Sequence, residues 1–177
     1  WNEITGNGAE NSNWLLFERG YEYEESALDN ILDRNTHGES ELHPVYVGAW
    51  GEGARPVLNA KLDMWKDDYS NIVFQGVEFS EGGLVIEATN LLFDDVTITD
   101  ELAVVNSSGL TIRNSAVYDV YREEPNKGAN NWKTEGDNRI QGIYIGGGTD
   151  HVLVEDLFLD QTGWRAGYNF DVNQDDG

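Results

Sequence analysis

Asn71-Ile-Val-Phe-Gln-Gly-Val-Glu-Phe79 is followed by Asn90-Leu-Leu-Phe-Asp-Asp-Val-Thr-Ile98, Gly109-Leu-Thr-Ile-Arg-Asn-Ser-Ala-Val117 and His151-Val-Leu-Val-Glu-Asp-Leu-Phe-Leu159. Asn71 to Asn90 and Asn90 to Gly109 are steps of 19 residues, and Gly109 to His151 is a step of 42. The long step is one coil plus an insertion of about 20 residues, because a period near 20 built from short β-type segments is that of a solenoid with one unit per repeat. Within each line the apolar residues fall in register. Ile72, Leu91, Leu110 and Val152 align, as do Phe74, Phe93, Ile112 and Val154. Past a polar pair come Val77, Val96, Ser115 and Leu157, then Phe79, Ile98, Val117 and Leu159. Alternation at period two places each set on one face of a strand.

The alternation breaks at Gly76, Asp95, Asn114 and Asp156. These residue types tolerate the left-handed backbone that a sharp corner needs. Each line therefore reads as strand, corner, strand. A third strand precedes each of the last three lines: Gly83-Leu-Val-Ile86, Glu101-Leu-Ala-Val104 and Gly142-Ile-Tyr-Ile145. Three strands per turn, each stacked on its counterpart one coil away, make an all-β parallel β-helix with three parallel sheets. Its inward columns are expected to include Leu84, Leu102 and Ile143, then Ile86, Val104 and Ile145. Ser115 is the small polar residue among inward positions, and a buried hydroxyl is expected to be hydrogen-bonded. Asp94 and Glu155 are expected to be solvated on the outer face. Ala27, Leu28, Ile31 and Leu32 share one helical face, so Ser26 to Leu32 is a candidate capping helix for the first coil.

The 177 residues suffice for one domain spanning 1–177, with an inserted loop at 121–138. The start at Trp1, without Met or signal peptide, and the end at Asp-Asp-Gly177, without a polar cap, read as a processed or excised piece of a longer β-helix, to which further coils would belong. The absence of Cys excludes disulfide and thiol chemistry, and no apolar run is long enough to span a membrane. Asp and Glu number 33 against 11 Lys and Arg, a net charge of −22 that argues against a nucleic-acid partner. Such an excess suits a secreted, extracellular setting where salt or calcium screens self-repulsion.

Trp14-Leu-Leu-Phe17-Glu-Arg-Gly20 and Pro44-Val-Tyr-Val47-Gly-Ala-Trp50-Gly-Glu-Gly-Ala-Arg55-Pro-Val57 resemble the opening coils of the pectate-lyase-like, right-handed parallel β-helix superfamily. The resemblance implies a right-handed coil. It also implies a carbohydrate-active protein, a polysaccharide lyase, uronate epimerase or glycosidase, with substrate lying along the sheet made by the Gly-Ile-Tyr-Ile type strands. The same fold also serves non-catalytic adhesins, tailspike-like proteins and scaffold modules.

The insertion leads into that sheet and gathers bases in a chain that has few: Arg122, Lys127 and Lys133, then Arg139, with Trp132 among them. Cations hold carboxylates while an aromatic face receives a sugar ring, so these residues and Glu87 are the candidate contacts for an acidic polysaccharide. Arg122, Glu101, Tyr144, Arg165 and Tyr168 are the candidate catalytic groups, because lyase or epimerase chemistry neutralises a uronate carboxylate and moves a proton at C5. Asp171, Asn173 and Asp175 space oxygen ligands as calcium loops do, which makes calcium the candidate cofactor. Asp95, Asn114 and Asp156 are explained by the corners they turn, and His151 reads as a hydrogen-bonding turn residue.

Overall fold

A computed structural model describes residues 12–27, 36–65, 69–122, 142–160 and 163–164. In chain order the strands are β1 (Trp14–Glu18), β2 (Glu22–Glu24), β3 (Val45–Trp50), β4 (Val57–Asn59), β5 (Leu62–Trp65), β6 (Ser70–Gln75), β7 (Glu78–Phe79), β8 (Gly83–Ile86), β9 (Thr89–Asp94), β10 (Thr97–Thr99), β11 (Leu102–Val105), β12 (Ser108–Arg113), β13 (Ala116–Tyr118), β14 (Tyr121–Arg122), β15 (Ile143–Gly146), β16 (Asp150–Glu155), β17 (Phe158–Leu159) and β18 (Gly163–Trp164). They form two six-stranded sheets, β1-β3-β6-β9-β12-β16 and β17-β13-β10-β7-β4-β2, a four-stranded sheet, β15-β11-β8-β5, and the two-stranded pair β14-β18. Every pairing within these sheets is parallel. The chain visits the three larger sheets in turn, which is a parallel β-helix.

The register matches the repeat. Ile72 pairs with Leu91, Leu91 with Leu110, and Leu110 with Val152. Ser108 faces Asp150 in the same register that Thr89 holds to Ser108, so the 42-residue step inserts chain between β13 and β15 without shifting the frame. Phe74 and Phe93 stack at a ring separation of 5.1 Å, and Phe79 meets Phe74 edge-on at 5.7 Å. The column continues toward the first coil through Val47 and Leu15.

The expected corners are where the sequence breaks alternation. Gly76, Asp95, Asn114 and Asp156 have φ of 69°, 56°, 50° and 47°. Two further left-handed columns bracket the bend between the four-stranded sheet and the next strand: Glu87, Asn106 and Gly147, then Asn71, Asn90, Gly109 and His151. Asp100 and Asp119 turn the remaining bend.

Turning leaves a backbone N–H that the ladder does not pair, and a hydroxyl one coil on fills the gap. Val96 N donates to Ser115 Oγ at 3.1 Å while Ser115 Oγ donates to Arg113 O at 2.7 Å. Ala88 N and Ser107 Oγ repeat the arrangement, as do Ser107 N and Thr149 Oγ1. Ser115 is thus the bonded inward hydroxyl that its position demands.

Three expectations change. In β8 the inward residues are Gly83 and Val85, with Leu84 outward, one residue out from the expected register. Gly83 sits between Leu62 and Leu102, and a Cβ there would stand 2.9 Å from Leu102 Cδ1; the flanking leucines fill the space a side chain would take. A slip of one residue exchanges the faces of a strand. Glu25–Ala27 forms one 3-10 turn rather than the start of a capping helix, and residues 28–35 lie outside the described residues. Asp94 is buried rather than solvated, for reasons given below.

Replacing Ser115 by Ala is expected to cost about 1–3 kcal/mol in urea unfolding, because it strands the Val96 N–H in the interior. Asp156→Val is expected to lose about 1–2 kcal/mol by forcing a β-branched residue left-handed, whereas Asp156→Gly stays near wild type.

Candidate functional site

The four-stranded sheet presents a face of two rows. Trp65, Ile86, Val105 and Gly146 are in register, and Asp63, Leu84, Ala103 and Tyr144 form the row beside them. Trp65 and Tyr144 are the exposed aromatics of this face, at 53% and 41%. The Tyr144 ring folds over its own strand: a Cβ on Gly146 would stand 2.4 Å from Tyr144 Cζ. The ring thus enters the row that begins at Trp65, three strand spacings or roughly 14 Å away. Between the two aromatics the floor is aliphatic.

Of the residues singled out from the sequence, the described part of this face carries Tyr144, Glu101 and Glu87. Glu101 precedes β11 and is half-buried, diagonal to Tyr144 across the β11–β15 pair. Glu87 follows β8 in a left-handed corner and is exposed. The two carboxylates lie at opposite ends of the strands. By register Glu101 is level with Gly82, five residues short of Glu87, or roughly 16 Å along the strand. Paired glycosidase carboxylates stand about 5–9.5 Å apart.

Arg122 contributes backbone to β14, which pairs with β18. Trp132, Lys127, Lys133, Arg139, Arg165, Tyr168, Asp171, Asn173 and Asp175 lie outside the described residues. Among the described residues no group of three or more His, Asp or Glu side chains gathers as a metal site. Sequence reading passed over Trp65, whose strand Leu62-Asp-Met-Trp shows the period-two alternation yet precedes the recognised repeat.

A second group of polar residues lies on the outer face of the β1-to-β16 sheet. Gln75, Asp94, Arg113 and Glu155 form one column. Asp94 is 8% exposed and accepts from Arg113 Nη2 at 2.9 Å, from Asn114 Nδ2 at 2.9 Å and from Gln75 Nε2 at 3.2 Å. Tyr46 extends the chain by donating to Gln75 Oε1 at 2.6 Å. One coil edge further, Arg55 pairs with Asp95 and donates to Thr97 Oγ1. The hydrogen bonds from Arg113 and Asn114 hold the Asp94 carboxyl below its ordinary range. Burial, then the Asp94 charge, pushes the Tyr46 hydroxyl up. The bonds from Tyr46 through Gln75 and Asp94 to Arg113 tie four successive coils together, although the Nε of Arg55 and of Arg113 stays buried without a partner among the described residues.

Comparison with known proteins returns no match: no family model, curated protein or solved structure is similar enough to this chain to assign it a relative.

A carboxylate with a depressed pKa stabilises the fold fully above its unfolded value, near 3.8, and that contribution is lost as pH falls through the folded value. Asp94→Asn is therefore expected to be less stable than wild type at neutral pH, with the gap narrowing below about pH 4. Urea midpoints across the acid range measure it, and a gap that stays constant with pH would contradict the assignment.

Proposed function

We propose that this chain is a carbohydrate-active β-helix that engages an extended polysaccharide along its four-stranded sheet. The supporting observation is the row from Trp65 to the Tyr144 ring, two exposed aromatics joined by an aliphatic floor. Pyranose rings present apolar faces, which stack on aromatic rings while their hydroxyls stay in water. A polymer running parallel to the solenoid axis would meet both rings.

The resemblance of the first coils to the pectate-lyase-like superfamily favours a uronate polymer and lyase or epimerase chemistry in a secreted protein. In that reading Arg122, Lys127, Lys133 and Arg139 receive the carboxylates beside Trp132, on the segment that leads into β15. Glu101 and Tyr144, with Arg165 and Tyr168, supply the groups that move the proton. Calcium, for which Asp171, Asn173 and Asp175 are the candidate ligands, would bridge an acidic polymer to an acidic protein. A non-catalytic binding or scaffold role is the second reading. It is favoured by the placement of Glu87 and Glu101 at opposite strand ends, which leaves these two carboxylates unable to act as a hydrolytic pair.

Affinity electrophoresis on polygalacturonate, alginate and a neutral glycan tests the binding. Trp65→Ala and Tyr144→Ala are each expected to weaken retardation about 5- to 10-fold, the loss of one stacking contact. No retardation in any gel, or none lost in the double variant, would remove the polysaccharide reading. Formation of unsaturated uronate or exchange of the C5 proton separates the enzyme from the scaffold.

A further inference from the structure

The β1-to-β16 sheet carries a concavity on a different side of the solenoid from the aromatic face. The loop 36–44 docks beside the start of β6, where Gly38 N donates to Ser70 O at 2.9 Å. This loop brings Glu41 and Pro44 to the wall of an open pocket of about 340 Å³. That volume falls in the range of small-molecule sites. Val73, Leu92 and Thr111 are adjacent outward residues of β6, β9 and β12 and line its floor.

The pocket's polar edge is an interrupted ladder. Asn71 Nδ2 donates to Gly38 O at 3.0 Å, and Asn90 Nδ2 donates to Asn71 Oδ1 at 3.0 Å. The next position in the column is Gly109, where a Cβ would stand only 2.5 Å from Asn90 Oδ1. Gly109 has no side chain to continue the ladder, so Asn90 Oδ1 ends it as an acceptor at the pocket. Chained amides polarise one another, which strengthens the terminal acceptor. One coil beyond, His151 occupies the same column and lines the pocket. Its Nδ1 lies 3.0 Å from Asp150 Oδ1, and Asp150 also accepts from Ser108 Oγ. Nδ1–H donates to the Asp150 carboxylate, which also raises the pKa of the ring, so Nε2 is an acceptor in the neutral ring and a donor once it is protonated.

Asn90 Oδ1 and the Glu41 carboxylate therefore offer acceptors around an apolar floor, joined by His151 Nε2 when the ring is neutral. A matching ligand has an apolar face and several donors at its rim. We infer that this pocket is a site for a single sugar ring rich in donors, in which an amino sugar binds better than a neutral one and a uronate binds worst. The order follows from charge: Glu41 lines the pocket and favours an ammonium over a carboxylate, while Asp150 offsets the charge that His151 carries when protonated. This preference is opposite to that of the polymer proposed for the aromatic face, and the two sites stand or fall separately.

Methyl glucosaminide, methyl glucoside and methyl glucuronide titrated into labelled protein, followed by amide chemical shifts, test it. Saturable shifts at Asn71, Asn90, Thr111 and His151 are expected, with the glucosaminide binding at about 1 mM and the others progressively weaker. Thr111→Trp, which lays a ring across the floor, should weaken binding at least about 10-fold. His151→Gly, which keeps a residue suited to the left-handed backbone there, should weaken it about 5-fold, and Tyr144→Ala should leave it unchanged. No saturable shift up to about 50 mM, shifts centred on Trp65 and Tyr144, or tightest binding of the glucuronide would each overturn the inference.

Discussion

Every coil of this solenoid has to bend without stranding a backbone donor in a dry interior, and the rest of the structure depends on how that is done. Strand stacking pairs the straight segments automatically, since each coil is the partner of the next. The bends are different, because a left-handed residue swings the following N–H out of the ladder. Ser107, Ser115 and Thr149 answer this with hydroxyls taken from the neighbouring coil. An unpaired buried N–H costs about 1–3 kcal/mol, a large share of the stability of any domain. The corner and the hydroxyl are thus a single device divided between two coils.

That device leaves the outer faces free to differ. One face is aromatic and aliphatic, from Trp65 to Tyr144. Another carries the buried Asp94 between Gln75 and Arg113, together with an amide ladder that stops at Gly109. Charge is treated differently on each. Around Asp94 it is enclosed and bonded on three sides, whereas around His151 and Asp150 it is open to solvent.

The coil was legible because its signals repeat. The Ile72-Leu91-Leu110-Val152 column and the corner at Asp95 and Asn114 could be checked against each other, and the strand registers agree with both. Gly83 misled because a glycine at an inward position carries no apolar label; its neighbours Leu62 and Leu102 do the filling. Asp94 misled because its environment comes from Arg113 and Asn114, distant in sequence by a whole coil. The left-handed role of Asn71, Asn90, Gly109 and His151 was present in the aligned lines, since Asn, Gly and His are among the residue types that adopt it most readily. The pocket beside it had no sequence signature, since Glu41 reaches it through a loop that has no counterpart in the repeat. Of the candidate site residues, Tyr144, Glu101 and Glu87 can be placed on the face of the four-stranded sheet and its ends, and Arg122 in β14; the other bases and the calcium candidates fall outside the described residues.

The identical register of β12 on β9 and on β16 has a consequence for how such a protein changes over time. The frame closes across the segment between Tyr118 and Ile143 as it does across a bend of a few residues. Loop-closure entropy grows only with the logarithm of length. Changing the length of the chain between Arg122 and Gly142 therefore costs the scaffold little, while substitutions within the stacked columns or at the buried Val120 cost more. Selection can rework the length of that segment while the coil that carries it stays still.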